Sequence, residues 1–319
     1  ANTVSLCPHC GRDCAARYLE NMDGIWLEVD CPDHGLTCEQ VENDPRFFKQ
    51  AYAEHYEKPF DHLVLPVTYR CNLSCKYCYS CSNTSLPLPK DRPAERILDI
   101  IAKEEANVTL IGGEPTVRRD LADLISTAKR IQGAPKISLG TNGQKLSDIS
   151  YLRNLQASGL DFVFLSLNDI AYDQSETIRG KKMQALANCA KLRLPVWLHQ
   201  TIDDLSQIDS LHEVLIDYKS AIFNTTLRVV KSFGYRNAAK PIFLSQVLKY
   251  LDKQDAQAKG TNPFNRFVDL HGLPVKVCSW VNDMARLDPI DSKYLISDDT
   301  VTTFHRGMKL DELLLCGKA

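Results

Sequence analysis

The stretch "VTYRCNLSCKYCYSCS", residues 67–82, sets Cys71, Cys75, Cys78 and Cys81 within eleven positions, immediately after a strand-like run. The first three have the spacing C-x3-C-x2-C. Three thiolates on one short loop ligate three corners of a cubic [4Fe–4S] cluster and leave the fourth iron open. An open metal position is where a cofactor or substrate binds, as in catalytic rather than structural zinc sites. The loop therefore implies chemistry, with Cys81 a spectator once three corners are filled. For the triad taken alone, a zinc knuckle is the competing reading.

Outward from this loop the pattern is regular. Six strand-like runs, "HLVLPVTY", "NVTLIGG", "KISLGTN", "DFVFLSLN", "PVWLHQTI" and "TTLRVVKSF", alternate with helical candidates near 92–104, 119–130, 146–157, 180–193 and 207–219. Strands alternating with helices at this spacing indicate a parallel sheet of βα units. Such sheets carry their functional loops at the carboxyl ends of the strands. The unusual residues fall there: the cysteine loop, then "GGEPT", "GTNG" and "SLND". The expected organisation is a metal-binding ribbon over 1–44, a helical linker over 45–62, the α/β unit over 63–235 and a C-terminal cap over 236–319 with one helix near 243–258.

Bulk properties set the remaining bounds. The 319 residues, 44% hydrophobic and 24% charged, are enough for a sizeable core, and a formal net charge of −2 gives no global attraction to nucleic acid or an anionic membrane. No apolar run approaches the roughly 20 residues that cross a bilayer, and the first thirty residues lack a signal-peptide pattern, so a cytoplasmic location is expected. In that compartment the 12 cysteines are metal ligands or free thiols rather than disulfides.

The first 44 residues carry two similar turns, "CPHCG" and "CPDHG", around a hairpin signal at Asp23-Gly24. Cys7, Cys10, Cys31 and His34 suit one tetrahedral zinc or mononuclear iron, with Cys14 or Cys38 as alternative fourth ligands. So small a segment lacks the core to fold without such a staple.

"CNLSCKYC" resembles the defining motif of the radical S-adenosylmethionine (radical SAM) superfamily, including Tyr77 before the third cysteine, and "GGEP", residues 112–115, resembles its second motif. The resemblance covers about residues 63–230. It implies a partial (β/α)6 TIM-like barrel, a cluster on Cys71, Cys75 and Cys78, and S-adenosylmethionine cleaved to a 5′-deoxyadenosyl radical. It further implies cofactor contacts from Tyr77, Gly112, Gly113, Glu114 and Pro115, with Asn142, Ser166 and Arg179 as additional candidates, and an electron donor such as flavodoxin or ferredoxin. Where relatives carry Ser-Leu-Asp-Gly, this chain has Ser166-Leu167-Asn168-Asp169. A ribbon with CPxC and CPxHG turns ahead of such a barrel resembles the branch that includes tetraether lipid synthases, although no cysteine lies between residues 39 and 70 for the additional clusters of that branch.

Cys278 and Cys316 are too few to hold the two auxiliary clusters of many peptide-modifying members. They are read as buried side chains, with Cys316 as a hydrogen donor the alternative. Trp280, Arg286, His305 and Arg306 are read as either pocket lining or packing and surface residues. The substrate classes left open are a lipid or other apolar small molecule, a peptide and a nucleoside. The competing function is a non-catalytic iron–sulfur or zinc module for electron transfer or interaction, which has no need of GGEP.

Overall fold

The computed structural model of the chain describes residues 2–7, 9, 13–53, 62–75, 82, 91–104, 107–133, 135–168, 176–230, 242–254, 267–270 and 273–277. The ribbon is an antiparallel meander of β1 (Asn2–Leu6), β2 (Asp13–Asn21), β3 (Gly24–Cys31) and β4 (Gly35–Glu42). The expected hairpin is present, with Asn21 opposite Gly24 and the loop therefore at Met22-Asp23. Asn21 closes it: its Oδ1 accepts from the Asp23 amide at 2.8 Å and from Trp26 Nε1 at 3.1 Å.

Alternation along β2 buries Cys14, Ala16 and Tyr18 and exposes Ala15, Arg17 and Leu19, the period-two pattern of a sheet covered on one face. That face serves two cores. Near the knuckles it closes over Cys7, Cys14, Ala16, Val29 and Cys31, while Tyr18 and Ile25 join the main core. Helix α1 (Pro45–Ala53) occupies the start of the expected linker. Asp44 caps it by accepting from the amides of Arg46 and Phe47, and Pro45 stands where a helix tolerates a missing N–H. Phe48 then packs on Tyr18 with ring centroids 5.1 Å apart.

The main sheet contains the six expected strands in sequential, parallel order: β5 (His62–Thr68), β6 (Asn107–Gly112), β7 (Ile137–Thr141), β8 (Phe162–Ser166), β9 (Val196–Ile202) and β10 (Ile222–Val229). Between them run α2 (Ala94–Glu104), α3 (Leu121–Ala128), α4 (Ile149–Ala157), α5 (Glu176–Leu192) and α6 (Gln207–Tyr218). Val108, Leu110, Leu139, Val163, Leu165, Val196 and Leu198 are fully or almost fully buried, as strands covered by crossover helices require. No pairing closes the sheet between its first and last strands among the described residues.

The C-terminal region departs from expectation. After α7 (Leu244–Gln254), the hairpin β11 (Phe267–Leu270) and β12 (Leu273–Val277) extends the sheet, with β12 parallel to β10. These residues are a continuation of the sheet rather than only a cap. Pro274 hid this, because proline within a run demotes it as a strand; it lies in the short final hairpin, opposite Asp269. Helix α7 also ties the ribbon to the sheet. Wholly buried Glu42, the last residue of β4, accepts from the amides of Asn43 and Asp44 and from the hydroxyl and amide of Ser245. Lys249 pairs with Asp44 at 2.9 Å, and Tyr250 donates to Asp209 of α6.

Candidate active site and metal centre

The cysteine loop leaves the carboxyl end of β5 and is tethered on both sides. Thr68 Oγ1 donates to Asp91 Oδ1 at 2.7 Å, and Arg70 donates through Nε and Nη2 to Asp91 Oδ2 at 2.9 and 2.6 Å. Burial works to raise the Asp91 carboxyl, but these bonds and the Arg70 charge prevail and hold it below the usual carboxylate range. On the return side, buried Ser82 donates to Tyr69 O at 2.9 Å. Cys71 and Cys75 are in no disulfide among the described residues, and both are half-buried. The Leu73 amide donates to Cys71 Sγ, 3.4 Å away. Cys78, Tyr77 and Cys81 lie outside the described residues.

GGEP closes against this loop through backbone. The Gly113 amide donates to Thr68 O at 2.9 Å and the Glu114 amide to Arg70 O at 2.8 Å. Gly112 adopts φ +150°, and a Cβ there would stand 1.9 Å from Thr68 O. Glycine is thus demanded by the close approach of β6 to β5.

The Glu114 side chain is wholly buried. Its Oε1 accepts from Thr116 N, Thr116 Oγ1 and Thr141 Oγ1 at 3.1, 2.6 and 2.7 Å, and its Oε2 accepts from Asn142 N at 2.7 Å. Burial raises its pKa against these bonds. Asn142 extends the chain of contacts to the cysteines: its Nδ2 donates to Asn72 Oδ1 at 2.8 Å and lies 3.9 Å from Cys71 Sγ. The turn reading of Asn142-Gly143 also holds, since Gly143 has φ +77° and Asn142 Oδ1 accepts from Gln144 N. Cys71, GGEP and Asn142 therefore form one hydrogen-bonded unit.

Beyond GGEP, Arg118 braces the same strand ends. Its buried Nη1 donates to Val67 O at 2.7 Å and Arg92 O at 2.8 Å, while Nε and Nη2 grip Asp120. Arg118→Leu removes both backbone partners' donor, and chemical denaturation is expected to show a loss of about 3 kcal/mol; a change below about 1 kcal/mol would count against this bracing role.

The other candidates are less closely joined. Ser166, half-buried, ends β8 opposite His199. Asn168 is engaged elsewhere, its Oδ1 accepting from Thr201 N at 2.7 Å; Asp169 lies outside the described residues. Arg179 is exposed in the first turn of α5. His199, Arg228, Asn72 and Thr141 went unremarked in the sequence. The signal for His199 and Arg228 was a titratable side chain near the carboxyl end of a parallel strand.

In the ribbon, the ligating atoms of Cys7, Cys31 and His34 all lie within 4.8 Å of one another. His34 Nδ1 is 3.6 Å from Cys7 Sγ and 3.5 Å from Cys31 Sγ. Burial acts to raise Cys31, but hydrogen bonds with His34, the Asp33 backbone, Cys7 and the His34 backbone bring it down to about 6, so it is ready as a thiolate ligand at neutral pH. Cys10 lies outside the described residues. Cys14 and Cys38, the alternative ligands, do not join this group among the described residues: Cys14 is buried in the ribbon core and Cys38 is exposed. Cys189 is a core thiol, pushed up to about 12 by burial.

Residues 65–198 match the model of the Radical SAM superfamily, and residues 1–43 match the HMPTM N-terminal zinc ribbon domain. The chain thus carries a radical SAM domain preceded by a zinc ribbon domain. A radical SAM domain takes a [4Fe–4S] cluster and S-adenosylmethionine, and a zinc ribbon takes zinc. Among the described residues both donor sets fit: the half-buried soft thiols of Cys71 and Cys75 for the cluster, and two thiols with an imidazole for zinc.

This chain is 31% identical to 7,8-dihydro-6-hydroxymethylpterin dimethyltransferase of Methanocaldococcus jannaschii over 60% of its own length and 44% of that protein's. It is 33% identical to GTP 3′,8-cyclase of Synechococcus elongatus over 45% of its length and 46% of that enzyme's. It thus spans less than half of either relative. The crystal structure of Streptococcus suis SuiB bound to precursor peptide SuiA shares the fold, with TM-score 0.50 at 15% identity over 79% of this chain and 69% of that one. No helix among the described residues is long and apolar enough to cross a membrane.

Proposed function

We propose that this chain reductively cleaves S-adenosylmethionine and uses the resulting 5′-deoxyadenosyl radical to abstract hydrogen from a small polar heterocycle. The observation that carries the reading is the joining of Cys71, Asn142 and Glu114 into one unit at the carboxyl ends of β5, β6 and β7. A mere cluster carrier has no use for that arrangement. The cluster, when bound, supplies the electron that breaks a carbon–sulfur bond of the sulfonium; the chain supplies position and exclusion of water.

In this reading Cys71, Cys75 and Cys78 hold three irons. Glu114 Oε2 accepts one hydrogen bond among the described residues, which leaves a lone pair for the cofactor ammonium, as a carboxylate oxygen accepts two. Gly112, Gly113 and Pro115 shape the strand end, and Tyr77, Asn142, Ser166 and Arg179 serve the cofactor. Both named relatives carry a fused pyrimidinone in their names, a hydroxymethylpterin and GTP. That favours a heterocycle over the lipid and peptide alternatives. A cytoplasmic flavodoxin or ferredoxin is the reductant of this reading.

The test is anaerobic reconstitution followed by S-adenosylmethionine and a strong reductant, with iron, sulfide and zinc quantified on the same sample. Wild-type protein is expected to release 5′-deoxyadenosine, and Cys75→Ala to release none. A fully loaded wild type that neither binds nor cleaves the cofactor, with pterin or GTP present, would sink the reading.

A further inference from the structure

We propose that His199 and Arg228 hold the substrate by the polar edge of a 2-amino-4-oxopyrimidine ring, the unit that pterins and guanine share. This rests on the radical SAM reading for the chemistry and adds the residues that choose the ligand.

Strand alternation and register set the geometry. Leu165 and Ala185 of α5 both lie against Gly143, so the helices cover the Val163 and Leu165 face of β8. Phe162, Phe164 and Ser166 occupy the opposite face. Parallel pairing sets Trp197 beside Phe164 and His199 beside Ser166, then Thr226 beside His199 and Arg228 beside Thr201. The amino-end half of this face is filled by aromatic rings: Phe162, Phe164, Trp197 and Phe223 stand with centroids 5.1–5.5 Å apart. Trp197 Nε1 is satisfied by Thr226 Oγ1 at 2.8 Å. Polar groups begin one layer above this floor, at the level of Ser166 and on the same side as Asn142.

His199 is held but not satisfied. Its ring stands edge to face on Phe164, centroids 5.1 Å apart at 78°, which fixes its direction. Its buried Nε2 makes no hydrogen bond among the described residues. A buried polar nitrogen left this way requires a partner, and a ligand entering above the aromatic floor supplies one. Burial, reinforced by the Arg228 charge, keeps the imidazole well below its ordinary pKa and therefore neutral. The pair thus offers one cation and one uncharged nitrogen. A guanidinium donates two parallel hydrogen bonds to the lactam oxygen and to the acceptor nitrogen of the fused second ring beside it, N7 of guanine or N5 of a pterin, as arginine reads guanine in nucleic acids. The neutral imidazole bonds a further polar atom of the same ring without adding charge.

The probes are 6-hydroxymethylpterin, followed by quenching of its fluorescence, and GTP, followed by calorimetry, on anaerobically reconstituted protein carrying cluster and zinc. S-adenosylmethionine affinity is measured on the same samples. His199→Leu is expected to weaken the responding probe about tenfold and Arg228→Gln about tenfold to hundredfold, with cofactor affinity held within about twofold. His199→Gln, which restores a donor and an acceptor, should recover most of the loss. Variants that bind both probes like wild type would overturn the proposal, as would a wild type that binds the cofactor and neither probe. Cofactor affinity falling in step with His199→Leu would also overturn it and assign the pair to S-adenosylmethionine. A wild type that fails to bind the cofactor but shows the expected probe pattern would remove the radical reading and leave this assignment standing.

Discussion

Loss of the ribbon metal will unfold the knuckle end of β1–β4 while the parallel sheet stays folded. The reason is the composition of the ribbon's own core: among the described residues three of its five buried members, Cys7, Cys14 and Cys31, are cysteines, Ala16 and Val29 complete it, and Leu27 packs against it. So little apolar surface cannot offset the conformational entropy of ordering four strands. Metal binding to sites of this kind contributes about 10 kcal/mol or more at neutral pH, and that energy is folding energy. Cys31→Ser tests this without exposing the iron–sulfur site to a chelator. Zinc content should fall to background, and amide exchange at Cys14, Ala16 and Val29 should rise to unprotected rates while Leu110 and Leu139 keep their protection. Tyr18 sits on Phe48, and Glu42 is held by Ser245, so the docking end of the ribbon should open last. A zinc-free ribbon with protected amides would show that hydrophobic docking alone suffices.

Gly112→Ala is the second large effect. A methyl group there meets Thr68 O at 1.9 Å, backbone that is itself engaged by the Gly113 amide, so no flexible side chain can yield. The backbone at φ +150° adds strain for any L side chain. Strain and overpacking together put the cost at about 4 kcal/mol. Because Thr68 and Arg70 lead directly into Cys71, the damage should reach the cluster: iron retention falls together with stability. Gly180→Ala is the control. It lies in α5 with open space around it, and alanine there should raise stability by about 0.5–1 kcal/mol. Equal thermal stability of Gly112→Ala and wild type would mean that β5 and β6 separate more easily than their hydrogen bonds suggest.

Much of the site was written locally. Cys71 and Cys75 with GGEP are short-range patterns whose chemistry follows from residue type and spacing, and they meet because consecutive parallel strands end on the same side of a sheet. The two knuckles were readable for the same reason, with the hairpin between them bringing Cys7 to Cys31 and His34. Asn142 is a different case. Its sequence context supports a turn as well as a contact, and only the placement of β7 beside β6 shows that it makes both, through the Glu114 carboxylate and Cys71 Sγ.

The sequence by itself determined the six-strand parallel order, the cysteine loop and GGEP at neighbouring strand ends and the grouping of Cys7, Cys31 and His34, because each is encoded in hydrophobic period or residue spacing over a few positions. Tertiary structure alone decided that β11 and β12 continue the sheet beyond β10, since pairing between positions 50 residues apart, Thr225 and Val275, leaves no local trace. It likewise decided that Glu114 is a buried hub and that His199 and Arg228 share a face above Phe164. Which way a strand side chain points depends on register with its neighbours, and a one-residue slip would reverse it.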